Sequence, residues 1–175
     1  MDNNIPARGG SALGGKIFIG ADHAGYKLKE KLKTYLSELG YEVEDKGAFK
    51  YDPDNDYPDF VRPVAEAVTK DKESRGIILS GTGQGEAMCA NRIKGARAAV
   101  FYGEAVAKEA VDIKGKKSID SFEIIKLARV HNDANILSIG VRFVSEDEAK
   151  FAIELFLTTK FSGEERHIRR IKKLD

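Results

Sequence analysis

Six residues, Gly81-Thr82-Gly83-Gln84-Gly85-Glu86, have the types and the spacing to do chemistry. Glycines at alternate positions give a loop that can reach positive φ and let a ligand approach the main chain closely. The apolar Ile77-Ile78-Leu79 before it reads as a strand and Glu86 stands at the entrance of the helix that follows, so unpaired amides and the positive end of the helix dipole converge there. Such a place suits a phosphate, a carboxylate or a developing enolate. The Gly-x-Gly-x-Gly spacing is neither the dinucleotide fingerprint nor a P-loop, because no Gly-Lys-Ser/Thr follows. A carboxylate in the first helical turn is ordinary dipole chemistry, and beside converging amides it is also placed to act as a general base.

The elements that must hold this loop follow from hydrophobic periodicity. Strands are expected at Lys16 to Gly20, Tyr41 to Lys46, Gly76 to Leu79, Ala96 to Phe101 and Asn135 to Gly140. Between them lie an amphipathic helix with Leu28, Leu32, Leu36 and Leu39 on one face, and a helix opening at Pro58 with Val61, Val64, Ala65 and Val68 buried. Pro63 predicts a kink or a late start in the latter. Glu86 to Lys94 reads as a helix with Met88 and Cys89 in the core, and Gly103 to Val111 also reads as helical. Ile113 to Asp120 is a lysine-rich interruption before a helix from Ser121 that ends at Val130-His131-Asn132-Asp133. Ser145 and Glu148 have capping-box spacing, and Glu164 to Leu174 reads as a basic terminal helix.

Alternating strands and helices predict an α/β three-layer sandwich, αβα, with a five-stranded parallel Rossmann-like sheet. Ligands of such sheets bind beyond the carboxyl ends of the strands. Asp22 and His23 after the first strand, the glycine loop after the third and Arg142 after the fifth all fall there. His131 ends the helix before the fifth strand, so it belongs at the opposite edge of its own subunit. A second subunit can bring it in.

The chain has 175 residues with 42% hydrophobic, enough for one core and one domain. Met1 to Gly15 lacks periodicity and is read as a disordered extension or a cloning remnant. Lys plus Arg number 29 against 28 Asp plus Glu, so no general attraction to nucleic acid is indicated and any phosphate site is local. The single cysteine, Cys89, excludes an internal disulfide and a multi-cysteine zinc site. No apolar run has membrane-spanning length and nothing at the start resembles a secretory segment, so a cytoplasmic protein is expected.

These pieces, taken together and in order, resemble the ribose-5-phosphate isomerase B and galactose-6-phosphate isomerase family. The resemblance rests on Gly20-Ala21-Asp22-His23-Ala24-Gly25-Tyr26, Asp56-Tyr57-Pro58, the loop from Gly81 to Glu86, Ala90-Asn91, His131-Asn132-Asp133, Gly140-Val141-Arg142 and Arg166-His167-Ile168-Arg169-Arg170. It implies one isomerase domain over 16–175 that interconverts an aldose and a ketose phosphate, with no metal or other cofactor, through ring opening and a cis-enediolate. By that resemblance His131 opens the furanose with help from Asp22, and Glu86 moves the proton between C2 and C1. Thr82 and the amides of Gly81, Gly83 and Gly85 hold the enediolate, Asn132 holds sugar oxygens, and His23, Arg142, Arg166 and Arg170 hold the phosphate. It also implies a homodimer or dimer of dimers whose active site is shared between subunits.

On the residues alone, Asp22 reads equally as a helix cap, Thr82 as a turn hydroxyl, Asn132 as a cap, His131 as a helix-end histidine and the arginines as a solvated face. Ribose 5-phosphate is the leading substrate, with an allose, galactose or tetrose phosphate, or a non-catalytic sugar-phosphate sensor, as alternatives. Some relatives place a cysteine where Ser80 stands and use it as the base; this chain has the glutamate instead. The segment from Gly103 to His131 is longer than the family pattern, which leaves it either a surface excursion or a part of the sugar pocket or subunit contact.

Overall fold

A computed structural model describes residues 15–174. The reading of Met1 to Gly15 therefore falls, but for Gly15, outside the described residues. The strands are β1 (Ile17–Ala21), β2 (Val43–Asp45), β3 (Arg75–Ser80), β4 (Ala98–Phe101) and β5 (Ile136–Gly140), all parallel, in the order β2-β1-β3-β5-β4. The helices are α1 (Tyr26–Glu38), α2 (Pro58–Lys70), α3 (Gln84–Ala90), α4 (Glu123–Asn132), α5 (Glu146–Thr158) and α6 (Glu165–Ile171).

Side chains alternate across each strand, so each feeds two cores. Ile17, Ile19, Ile77, Leu79, Leu137 and Ile139 pack with residues of α1, α4 and α5, while Phe18, Ile78 and Ile136 pack with α2 and α3. The expected three-layer arrangement follows. β2 and β3 flank β1 on opposite sides, with α1 and α2 on opposite faces. The strand order thus reverses between β1 and β3, where their carboxyl ends leave a crevice.

The buried stripe of α2 is Val61, Val64, Ala65 and Val68, as its periodicity requires. Pro63 does not delay the start: Pro58 occupies the first turn and the helix runs on through Pro63. Ser145 and Glu148 form the expected capping box, with Ser145 Oγ accepting from the Glu148 amide at 3.2 Å and the Ser145 amide donating to Glu148 Oε2 at 2.6 Å.

Four expectations fail. Helix α3 ends at Ala90, and Met88, expected in the core, is 66% exposed because it lies on the side of the short helix turned from the sheet. Leu39 follows the end of α1 and is half-exposed. The stretch from Gly103 to Val111 is not helical: it forms an irregular excursion that is closed by a hydrogen bond from the Ala105 amide to the Ser121 carbonyl, 2.9 Å.

Lys29 takes a place in the α1 core stripe beside Leu32 and Leu36 and is fully buried. A buried ammonium needs a partner. Its Nζ donates to both Asp45 oxygens, 2.7 and 2.6 Å, and to the Ala48 carbonyl, 2.8 Å. Burial works against an ionised Asp45, yet hydrogen bonds from Lys29, Lys33 and the Gly47 amide hold its pKa below the ordinary value. The same segment is laced to the end of β1, with Ala21 donating to Gly47 and Ala48 donating to Ala21, each at 2.8 Å. This pair fixes the strand end from which Asp22 emerges.

Candidate functional site

The glycine loop is held from beneath by two buried serines. Ser80 Oγ accepts from the Gly83 amide at 3.0 Å, and Ser138 Oγ, on the α2–α3 side of β5, donates to the Gly83 carbonyl at 2.6 Å. Gly83 has φ +74 and is the only loop glycine in the left-handed region. A Cβ there would stand 3.1 Å from the Gly140 amide nitrogen and 3.2 Å from the Ile139 carbonyl carbon, both main chain. Gly83 thus serves the loop itself, and its amide is spent on Ser80. Thr82 is exposed, and its Oγ1 accepts from the Gln84 amide at 3.3 Å, which leaves the hydroxyl hydrogen for a ligand oxygen.

Glu86, in the first turn of α3, is 5% exposed. Burial pushes its pKa up and the nearby Asp22 carboxylate adds to this, against hydrogen bonds from Ser80 and its own amide. The result is a carboxyl whose proton affinity exceeds that of a solvated glutamate, as a base needs. Asp22 follows β1 and is buried; its Oδ1 accepts from the Ala24 and Gly25 amides at 2.9 and 3.0 Å, shaping the turn into α1. The capping role thus holds for one carboxylate oxygen.

His23 donates its amide to Asn55 Oδ1 at 3.1 Å, and its Nδ1 lies 3.3 Å from the same oxygen. Asn55 Nδ2 is buried and is the one such side-chain atom without a hydrogen-bond partner among the described residues. Arg142, beyond β5, donates its amide to the Gly81 carbonyl at 3.2 Å, and its guanidinium carbon lies 3.0 Å from where a Gly81 Cβ would sit. Gly81 is therefore the residue that lets Arg142 lie over the loop. Tyr57 stands in the same relation to Gly85, its ring 3.1 Å from the Cβ position. Asp22, His23, the loop, Glu86 and Arg142 are thereby brought to one edge of the sheet.

The remaining candidates are not there. His131 and Asn132 end α4, just before β5 begins, at the amino edge of the strands. Helix α6 packs on α4, so Arg166 and Arg170 join them. The His131 ring stacks on that of His167, with centroids 4.5 Å apart and planes 13° from parallel. His167 is 3% exposed, and burial, then the charges of Arg166 and His131, push its pKa down. Consistent with a neutral ring, its Nε2 accepts from Arg166 Nε at 3.2 Å. Sequence patterning gave no role to Asn55, Ser138 or His167, although His167 stands within the Arg166 to Arg170 motif. A buried small hydroxyl or amide in an apolar or turn-rich stretch gives no periodic signal.

One chain therefore carries two clusters at opposite edges of its sheet: a buried glutamate with a glycine-rich loop, and a histidine with arginines. The profile of the Ribose/Galactose Isomerase family matches residues 17–117 and 118–174. The chain belongs to that family. It is 38% identical over 158 residues to ribose-5-phosphate isomerase B of Mycobacterium tuberculosis, covering 90% of this chain and 86% of that one. Among solved structures, a ribose 5-phosphate isomerase of Thermotoga maritima superposes with a TM-score of 0.78 at 38% identity, covering 93% of this chain and 98% of that one. The Mycoplasma genitalium ribose-5-phosphate isomerase B with bound ribulose 5-phosphate has a TM-score of 0.78 at 34% identity, with 92% and 94% covered. The family match breaks between residues 117 and 118, inside the excursion that follows β4. No helix of the described residues is long and apolar enough to cross a membrane.

Proposed function

We propose that this member of the family is an aldose–ketose isomerase that interconverts ribose 5-phosphate and ribulose 5-phosphate. The observation that carries the reading is Glu86: a buried carboxyl with raised proton affinity, beside Asp22 and at the head of a ligand-accessible loop. A sensor has no use for such a group.

His131 moves a proton from the anomeric hydroxyl to the ring oxygen, which opens the furanose; Asp22 assists from the other cluster. The Glu86 carboxylate then takes the C2 proton, leaving an enediolate across C1 and C2. The Thr82 hydroxyl, with the amides of Gly81 and Gly85, stabilises the charge that develops on oxygen. Glu86 returns the proton to C1 while the C2 hydroxyl proton passes to the C1 oxygen, giving the ketose. Asn132 orients sugar oxygens. His23 and Arg142 from one edge, and Arg166 and Arg170 from the other, hold the phosphate by charge-assisted hydrogen bonds.

The two edges cannot meet on one substrate within a chain, so the site is completed by a second copy, in a homodimer or dimer of dimers. We read residues 16–175 as one domain and place the protein in the cytoplasm, where Cys89 stays reduced. Burial raises the Cys89 thiol pKa, which suits a core residue and not a nucleophile. The test is isomerisation of ribose 5-phosphate with EDTA present, beside allose 6-phosphate, galactose 6-phosphate and erythrulose 4-phosphate. Preference for ribose 5-phosphate is expected; turnover of none of them overturns the reading.

A further inference from the structure

The excursion between β4 and α4 is a built element. Gly115 has φ +80 and lets the chain turn, the Val111 amide donates to the Lys116 carbonyl at 2.8 Å, and Asp112 Oδ1 accepts from the amides of Lys114 and Lys116 at 2.8 and 3.0 Å. The turn is tied to α4 through Glu123, which is 7% exposed: Ser118 Oγ donates to its Oε2 at 3.0 Å and Lys116 Nζ lies 3.7 Å from its Oε1. Lys126 of α4 pairs with Asp120 and completes the attachment.

Seated this way, the turn encloses a cavity of about 310 Å³ whose wall includes Val111, Lys114 and Lys116 from the excursion, Val130 and His131 from α4, and Arg166 from α6. The excursion thus shares a cavity with the histidine–arginine cluster. Most charges on its wall are spoken for: Lys116 by Glu123, Lys126 by Asp120 and Arg166 by Glu164. Among the described residues Lys114 forms no salt bridge: the Asp112 carboxylate acts on it electrostatically while accepting from main-chain amides of the turn.

We infer that the 111–116 turn is a substrate-binding wall of the His131–Arg166 half-site, in which Lys114 supplies a cationic contact to the phosphorylated sugar. The inference rests on the isomerase reading above. A flexible lysine at a cavity mouth attracts a dianionic substrate equally in the ground and transition states, so it acts on binding and not on the chemical step. The attraction between exposed charges is weakened by salt.

The experiment compares Lys114→Ala with Lys108→Ala, an exposed excursion lysine that does not line the cavity. Kinetics with ribose 5-phosphate are run at low and high ionic strength, and ribose 5-phosphate binding is measured by calorimetry in the Glu86→Gln background. For Lys114→Ala the expectation is a KM and a Kd raised about 3- to 10-fold, kcat within about twofold of the parent, and a flatter salt dependence of kcat/KM. KM and Kd equal to those of Lys108→Ala overturn the wall and leave the isomerase reading intact. A parent without turnover, but with calorimetric binding that Lys114→Ala weakens, defeats the isomerase reading and keeps the wall.

Discussion

His131 and His167 stack face to face across the α4–α6 contact, so the ring proposed to open the sugar has its orientation set by another ring from α6. His167→Asn removes that support while keeping a polar group for the Arg166 contact. We expect kcat for ribose 5-phosphate to fall by about tenfold, and less for the already open-chain ribulose 5-phosphate, because only the ring-opening step needs His131 held. Equal losses in both directions would show that the stack serves stability alone.

The His167 pKa lies below 6.5 in the fold. The unfolded chain therefore binds the proton more readily. Stability from this group is fully present above pH 6.5 and is lost as pH falls through the folded value. Denaturant midpoints between pH 8 and pH 5 should therefore decline less in His167→Asn than in the parent.

Glu86→Gln should lower kcat by about 10²- to 10⁴-fold while ribose 5-phosphate still binds. Unchanged turnover removes Glu86 as the base. Titration of carboxyl carbons by NMR checks the cause directly: the resonance absent from Glu86→Gln should titrate above the ordinary 4.5 in the parent. A midpoint at or below that value contradicts the buried-base account.

Gly83 is where loop geometry and sheet geometry meet. Gly83→Ala places a side chain at φ +74 against main-chain atoms of β5, which cannot give way as a flexible side chain would. Destabilisation above about 1 kcal/mol is expected. Ser138→Ala strands the Gly83 carbonyl in a buried setting and should cost about 1–3 kcal/mol, read from denaturant midpoints. A neutral Ser138→Ala would show that the loop does not need this support.

Residues whose role is written in spacing were legible from the chain. The α2 stripe, the capping box of α5 and the candidates at the carboxyl ends of β1, β3 and β5 all followed from period and order. So did the separation of His131 from Glu86, because a residue that ends a helix before a parallel strand must lie at the strand's amino edge. Lys29 was illegible for the opposite reason. It occupies a core position of the α1 stripe, and only the tertiary meeting with Asp45 makes that tolerable. The excursion misled because Ala, Glu and Lys between Gly103 and Val111 have good helix propensity, whereas nothing there offers a buried face to hold a helix. His167 hid among charged neighbours in a helix that reads as uniformly basic.

A site that draws Glu86 from one chain and His131 from another is open to subunit complementation. Glu86→Gln and His131→Ala, each inactive alone, are mixed in equal amounts, dissociated and reassembled. In mixed dimers one site receives both substitutions and the other receives neither, so random pairing should restore about a quarter of the parent activity towards ribose 5-phosphate. No activity above that of the two separate variants, with mixed dimers shown to form, would contradict the shared site.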